Sequence, residues 1–165
     1  MALRSEKLIP ASAQQSGIWY HALFNRTSYW NTVDVKMFTG KVNVLALKRS
    51  LEKIVERHSV LRTNFILRDE MIWQLVRAEF SIEDIFEVEE KGINDENSIK
   101  EMIDAEIAAA RHHDFDFEKD MLLKFKLLCF PDRSVFFLTI NHINHELWLD
   151  QPEAFRSHLD YALKK

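Results

Sequence analysis

The stretch SVFFLTINHINHELW, residues 134–148, decides the fold, because it joins a buried strand to a polar cluster. Its first half alternates at the two-residue period of a β-strand, with large apolar side chains on both faces. The two faces carry Val135, Phe137 and Thr139 on one side and Phe136, Leu138 and Ile140 on the other. The polar cluster that follows contains Asn141, His142, Asn144, His145 and Glu146. This pattern indicates the rim of an active site, the relic of one, or a polar loop without chemistry.

Four further segments have the pattern of β-strands, and they are residues 30–39, 61–67, 71–77 and 122–130. Arg68-Asp69-Glu70 separates the second segment from the third, which predicts a hairpin. In the fourth segment, Lys124 and Lys126 point outward, and the apolar residues that alternate with them point inward. The mixed acidic stretch 83–97 is expected to be an exposed loop.

Four segments have the pattern of amphipathic helices. Three begin at a capping box, in which a polar first residue and a Glu or Gln three residues later bond to each other's backbone. These boxes are Ser12 with Gln15, Ser98 with Glu101, and Asp150 with Glu153. The fourth helix, residues 44–58, follows from apolar residues at helical spacing. Strands and helices together predict a mixed α/β (α+β) two-layer sandwich, with helices packed on a mostly antiparallel or mixed sheet.

The composition is that of one folded domain covering residues 1–165, since 47% of the residues are apolar. A net charge of −4, without a basic run among aromatic residues, argues against nucleic-acid binding. No apolar run reaches the length of a signal peptide or a membrane span. The single cysteine, Cys129, falls within an apolar strand, which excludes a disulfide framework and suits a reducing compartment. We therefore expect a soluble, cytoplasmic protein.

Four motifs follow one another in an order and spacing similar to those of a known family. They are PASAQQSGIWY (10–20), TGKVNVLALKRSLEKIVERHSVLRTNF (39–65), FDFEKDMLLKFKLL (115–128) and INHINHELW (140–148). The second ends in R-H-x-x-L-R-T-x-F, which is a fairly specific match on its own. The chain resembles the N-terminal lobe of a nonribosomal peptide synthetase condensation domain over nearly its whole length. The resemblance implies a chloramphenicol-acetyltransferase-like fold.

The resemblance also implies a role in secondary-metabolite biosynthesis, namely amide-bond formation between two thioesters held by acyl or peptidyl carrier proteins. The α-amine of one thioester attacks the carbonyl of the other. His142 occupies the position of the family's second histidine, and an imidazole that titrates near neutrality suits a shared proton. The substrates arrive on the phosphopantetheine of the carriers, so no directly bound cofactor is expected. Since the family's site lies between two lobes, we expect this donor-side half to be inactive alone.

Several residues depart from the family pattern H-H-x-x-x-D-G and from the two motifs before it. Asn141 replaces the first histidine, Glu146 the aspartate and Leu147 the glycine. Ser59 replaces the glutamate of R-H-E, and Ser16 replaces an arginine of the first motif. Asparagine still offers a donor and an acceptor, whereas leucine restricts a backbone position that glycine leaves free.

A buried ion pair is implied beside the histidine. In the family pattern the aspartate pairs with the second arginine of R-H-x-x-L-R, which is Arg62 here. Glu146 makes the same pair only if its loop shifts by about an ångström, and such shifts cost up to ~100-fold in rate. Asn141, Glu146 and Arg62 are thus expected to support His142.

The departures leave other interpretations open. One is a catalytically degenerate lobe that serves as a docking module for a carrier protein or a synthetase partner. Another is a lobe that completes its site by self-association, instead of by a C-terminal lobe or a neighbouring module. Metal binding is not expected, because the H-x-x-H-E run of residues 142–146 lacks a third ligand at a typical distance.

Overall fold

The computed structural model describes residues 6–145, with side chains as far as Asn144. The helices and strands of this part are, in chain order, β1 (Lys7–Pro10), α1 (Ala13–Phe24), β2 (Asn31–Thr39), α2 (Val44–Arg57), β3 (Thr63–Arg68), β4 (Met71–Val76), β5 (Phe86–Glu90), α3 (Glu96–Arg111), β6 (Leu123–Cys129), β7 (Arg133–Asn141) and α4 (His142–His145). Short 3₁₀ turns occupy Thr27–Trp30, Ser59–Arg62 and Ile82–Asp84. Glu146, Leu147 and the helix predicted after Asp150 lie outside the described residues.

The larger sheet has four strands in the order β2-β7-β6-β5. Strand β7, from the stretch quoted first, lies between β2 and β6 and is antiparallel to both. Strand β5 pairs with β6 in parallel, and the chain between them forms α3. The central position of β7 explains its apolar side chains on both faces, since both faces are covered.

A helix packs on each face of the larger sheet. Helix α2 covers one face, where Leu51 contacts the cluster that contains Phe125. Helix α3 covers the other face, where Ile99 contacts the cluster that contains Phe137. The predicted mixed α/β architecture is confirmed, and the larger sheet has helices on both sides.

The smaller sheet is antiparallel, with the strand order β1-β4-β3. Strands β3 and β4 form the predicted hairpin around Asp69 and Glu70, whose φ angles are 51° and 61°. Two consecutive positive φ angles are the geometry of a type I′ turn, which matches the twist of the paired strands. Helix α1 packs on this sheet through Ile18 and Trp19.

Two predictions for residues 83–98 are wrong. The expected loop contains β5, in which Val88 alternates with acidic side chains. Lys126 on the neighbouring strand offsets this charge, since its Nζ lies 2.6 Å from Oε1 of Glu89. Helix α3 is capped by Asp95, whose Oδ2 accepts a hydrogen bond from the Ser98 N–H at 2.9 Å. Ser98 therefore lies in the first turn of the helix and is not its cap.

Candidate active site

Asn141 ends the central strand as a fully buried, hydrogen-bonded side chain. Its Nδ2 donates to the Thr27 carbonyl and to Oδ1 of Asn31, each at 2.9 Å. Its Oδ1 accepts from the Ile143 N–H at 3.2 Å. Both ends of the amide are used, so this residue holds the strand end in place.

Asn31 connects the strand end to α3. The register of β2 and β7 places Asn31 opposite Asn141. Its Nδ2 donates to the carbonyl oxygens of Ala110 at 3.1 Å and His113 at 2.7 Å. The Ala110 carbonyl lies in the last turn of α3, and the His113 carbonyl lies just beyond the helix. One side chain thus joins β2, β7 and α3.

His142 follows Asn141 directly and is the first residue of α4. It is half-buried, so one side of it reaches the surface. Its imidazole stacks on the indole of Trp30, with ring centroids 6.2 Å apart and planes inclined by 16°. His142 is thus held at the end of the central strand, with part of its side chain open to solvent.

The motif at Ser12–Trp19 reaches the same place through Gln15. The predicted capping box is confirmed: Ser12 Oγ accepts from the Gln15 N–H at 3.1 Å, and Gln15 Oε1 accepts from the Ser12 N–H at 2.9 Å. The Gln15 side chain is buried, and its Nε2 donates to the Ile143 carbonyl at 3.4 Å. The cap of α1 therefore also contacts the residue after His142.

The two remaining motifs meet there as well. Asn144 is buried, and its Nδ2 donates to the Thr63 carbonyl at 3.1 Å, at the start of β3. The neighbouring Asn64 donates through Nδ2 to the carbonyls of Phe117 at 3.0 Å and Asp120 at 2.7 Å. All four motifs recognised in the sequence are thus in contact around residues 141–144.

Arg62 is buried. Its Nη1 donates to the carbonyl of Arg77. Arg77 in turn donates through Nε to Oδ1 of Asn64, which ties Arg62 to the network of the third motif. The pair with Glu146 lies outside the described residues and stays a prediction.

A salt bridge holds the segment that leads into Trp30. Asp114 accepts from Arg26 Nε at 2.8 Å and from the Ser28 N–H at 3.0 Å. The Arg26 hydrogen bond, followed by that of Ser28, lowers the pKa of Asp114 to about 2. The carboxylate thus anchors residues 26–28 to the chain just beyond α3.

Acid should weaken this anchor. The folded-state pKa of Asp114 lies below its ordinary value, so its stabilisation is complete above about pH 4 and is lost as the pH falls towards 2. The effect is small because both side chains are largely exposed to solvent. We expect the stability gap between the wild type and Asp114→Asn, measured by urea unfolding from pH 6 to pH 3, to shrink below pH 4. Asp104→Asn, on the exposed face of α3, should give no such gap at any pH.

A cavity of about 410 Å³ lies between α3 and the larger sheet. His142 does not line it; its lining includes Glu106, Ala110, His113, Lys124, Phe137 and Thr139. Burial, with the Lys124 cation second, lowers the pKa of His113.

Within residues 6–145, no three His, Cys, Asp or Glu side chains are grouped so that they could hold a metal ion. Cys129 is buried, and burial raises the pKa of its thiol, which is consistent with a core position.

Sequence reasoning missed three residues that hold the site: Gln15, Asn31 and Trp30. Gln15 was recognised as part of a cap, but its contact with Ile143 spans the length of the chain. Asn31 is placed by the register between β2 and β7, and Trp30 directly precedes it in the 3₁₀ turn. A strand-pairing argument that aligned the start of β2 with the end of β7 would have found both.

Replacing Asn141 by alanine should lower the free energy of unfolding by about 2–4 kcal/mol. The change removes the partners of the Thr27 carbonyl, Asn31 Oδ1 and the Ile143 N–H, and a buried polar group without a partner costs about 1–3 kcal/mol. Urea unfolding measures the difference. Asn97→Ala is the matched control on the exposed start of α3, with an expected change below about 0.5 kcal/mol. Equal values for the two variants would contradict a structural role for Asn141.

The family model of the condensation domain matches residues 5–144. This chain belongs to the condensation-domain family. Among curated proteins, the chain is similar to bacitracin synthase 3 of Bacillus licheniformis, with 28% identity over 90% of this chain and 2% of that protein. It is also similar to chondramide synthase cmdD of Chondromyces crocatus, with 29% identity over 86% of this chain and 4% of that protein. The resemblance recognised from the four motifs is thereby confirmed.

Solved condensation domains have the same fold. The starter condensation domain of rhizomide synthetase RzmA aligns with a TM-score of 0.71 and 16% identity, over 83% of this chain and 34% of that one. A four-domain nonribosomal peptide synthetase bound to AMP and glycine aligns with a TM-score of 0.68 and 17% identity, over 90% of this chain and 11% of that one. The chain spans a small part of each of these proteins. In residues 6–145 of this condensation-family chain, no helix has the length and apolarity needed to cross a membrane.

Proposed function

We propose that this chain is the N-terminal, donor-side lobe of a condensation domain and that His142 serves amide-bond formation between two carrier-bound thioesters. The observation that carries the proposal is the position of His142. It lies half-buried at the end of the central strand, at the point where all four family motifs meet. The site by itself does not need a metal or a bound cofactor for this reaction, since an amine is a sufficient nucleophile once neutral.

The proposed step balances without an added reactant. The amine of one carrier-bound substrate attacks the thioester carbonyl of the other, and a C–N bond forms while the C–S bond breaks. The amine loses a proton and the departing pantetheine sulfur gains one. His142 holds the amine at the carbonyl and accepts or shares its proton. The substrates are covalently attached to carrier proteins, so the recognition of carriers is part of the proposed function.

A second lobe is proposed to cover the surface beside His142. The outer face of α1 and the turn after it expose large apolar side chains: Tyr20, Leu23, Phe24 and Tyr29. Phe24 is 87% exposed and Tyr29 is 70% exposed. Tyr29 belongs to the rings around the site, since its centroid lies 6.5 Å from that of His21. Clustered apolar exposure of this kind is typical of a surface that a partner covers.

The test is to join this chain to the downstream lobe of an active condensation domain. With both carriers loaded, mass spectrometry should detect the amide product from the joined protein, and no product from the chain alone. The downstream lobe with its own N-terminal lobe is the positive control. A folded joined protein that binds carriers but forms no product would overturn the catalytic proposal and support the docking-module interpretation.

Light scattering of the chain alone distinguishes the remaining interpretation. A trimer that forms product would support completion of the site by self-association. A monomer without product is the result expected for a lobe that needs a different partner.

A further inference from the structure

Strand pairing places Trp30 next to His142. Asn31 of β2 lies opposite Asn141 of β7, and the two strands are antiparallel. Trp30, the last residue of the 3₁₀ turn before β2, and His142, the first residue of α4, flank this pair. Their rings lie nearly parallel, with centroids 6.2 Å apart. The hydrogen bond between Asn141 Nδ2 and Asn31 Oδ1, at 2.9 Å, keeps the register that brings the rings together.

A second histidine holds the indole of Trp30. Trp30 Nε1 donates to Nδ1 of His21 at 3.2 Å. The imidazole of His21 meets the indole edge-on, with planes inclined by 87° and centroids 5.4 Å apart. His21 lies on α1, two residues beyond the buried Trp19, so the rigid helix supplies the acceptor. The indole therefore has a hydrogen-bonded partner in His21 and a nearly parallel, offset neighbour in His142.

We propose that Trp30 is a positioning residue for His142 and that His21 fixes the indole in its position. The proposal rests on the proposed function, in which His142 acts on the amine. A flat ring that lies nearly parallel to the imidazole limits the space in which the His142 side chain can turn. Restriction of this kind matters because misplacement of a reacting group by an ångström costs up to ~100-fold in rate.

A merely structural role of Trp30 is the competing explanation, since the indole also packs against the cluster of Ile18, Trp19 and Phe65. Trp30→Leu keeps an apolar side chain in that cluster and removes the flat ring. Trp30→Phe keeps a flat ring but loses the N–H that His21 accepts. His21→Phe keeps a ring beside the indole and removes the acceptor. The three variants separate packing, stacking and the hydrogen bond.

The first readout is the NMR signal of the His142 ring protons in the 165-residue chain, identified by its loss in His142→Gln. In the wild type, the ring current of the neighbouring indole should shift this signal. We expect Trp30→Leu to remove that shift, Trp30→Phe to retain part of it, and His21→Phe to give a smaller change. Trp73→Leu, a half-buried tryptophan of β4, is the matched control and should leave the signal in place. An unmoved His142 signal in a folded Trp30→Leu protein would overturn the proposal.

The second readout uses the joined protein with loaded carriers. Trp30→Leu should lower kcat about 10-fold with KM for the carriers unchanged, and Trp30→Phe should restore part of the loss. In the His142→Ala background, Trp30→Leu should lower the remaining rate no further, because the effect passes through His142. An equal further loss there would contradict positioning. Failure of the proposed function alone gives a different result: the NMR signal moves as expected while no joined variant forms product.

Discussion

Replacing His142 by alanine should lower kcat for amide formation at least ~100-fold once the chain is joined to a second lobe. The half-buried imidazole follows the central strand directly, and its backbone is held on both sides by Asn141 and Ile143. Under the proposed function, its loss leaves the attacking amine without a positioned proton acceptor, and a positioned acid–base group contributes ~10²–10⁴-fold. Carrier affinity, measured by calorimetry, should stay at the wild-type value, because the exposed surface around the site is preserved.

His112→Ala is the matched control for this experiment. His112 caps the end of α3 and is exposed, so its removal should leave both kcat and carrier affinity unchanged. A His142→Ala protein that forms product at the wild-type rate would rule out an active role for this imidazole. A wild-type protein without product, together with normal carrier binding, would favour the docking module instead.

Replacing Phe125 by alanine should lower the free energy of unfolding by about 3–5 kcal/mol. Phe125 is 1% exposed, in the middle of β6, and lies under helix α2. Its ring is stacked with Phe136 on the adjacent strand, with centroids 5.9 Å apart. The substitution removes a large buried side chain and leaves a cavity that the packed sheet and helix do not fill. Urea unfolding followed by circular dichroism measures the loss.

Phe24→Ala makes the same chemical change at a position that is 87% exposed. Its effect on the unfolding of the chain should stay below about 0.5 kcal/mol. In the joined protein, the same variant should weaken the contact between lobes if α1 faces the second lobe. Similar losses for Phe125→Ala and Phe24→Ala in the chain alone would show that the core is not where the structure has it.

Sequence patterns predicted the central elements of the fold for physical reasons that can be named. The alternation in β7 and the helical spacing in α2 are strong because both elements bury large faces. Strand β5 was missed because its exposed acidic side chains give it the hydropathy of a loop. In the fold, Lys126 of β6 pairs with Glu89 of β5 and with Glu106 of α3. Strand β1 was missed because all four of its residues are exposed, and only pairing with β4 defines it.

The site was predictable in part. The resemblance of four motifs located Asn141, His142 and Arg62, and the structure places the first two at a strand end and the third in a buried network. Composition and periodicity contain no information on which distant side chains meet. The contacts of Gln15, Asn31 and Trp30 around His142 depend on tertiary register, which a single sequence does not reveal.

The hydrogen bonds around residues 141–144 have a consequence for folding. They join groups separated by 128, 110 and 81 positions along the chain. Contacts between remote segments form slowly, because the entropy of closing long loops must be overcome before such contacts contribute. We therefore expect the surroundings of His142 to form late in folding, so that refolding kinetics show the His142 environment appearing with the slowest phase.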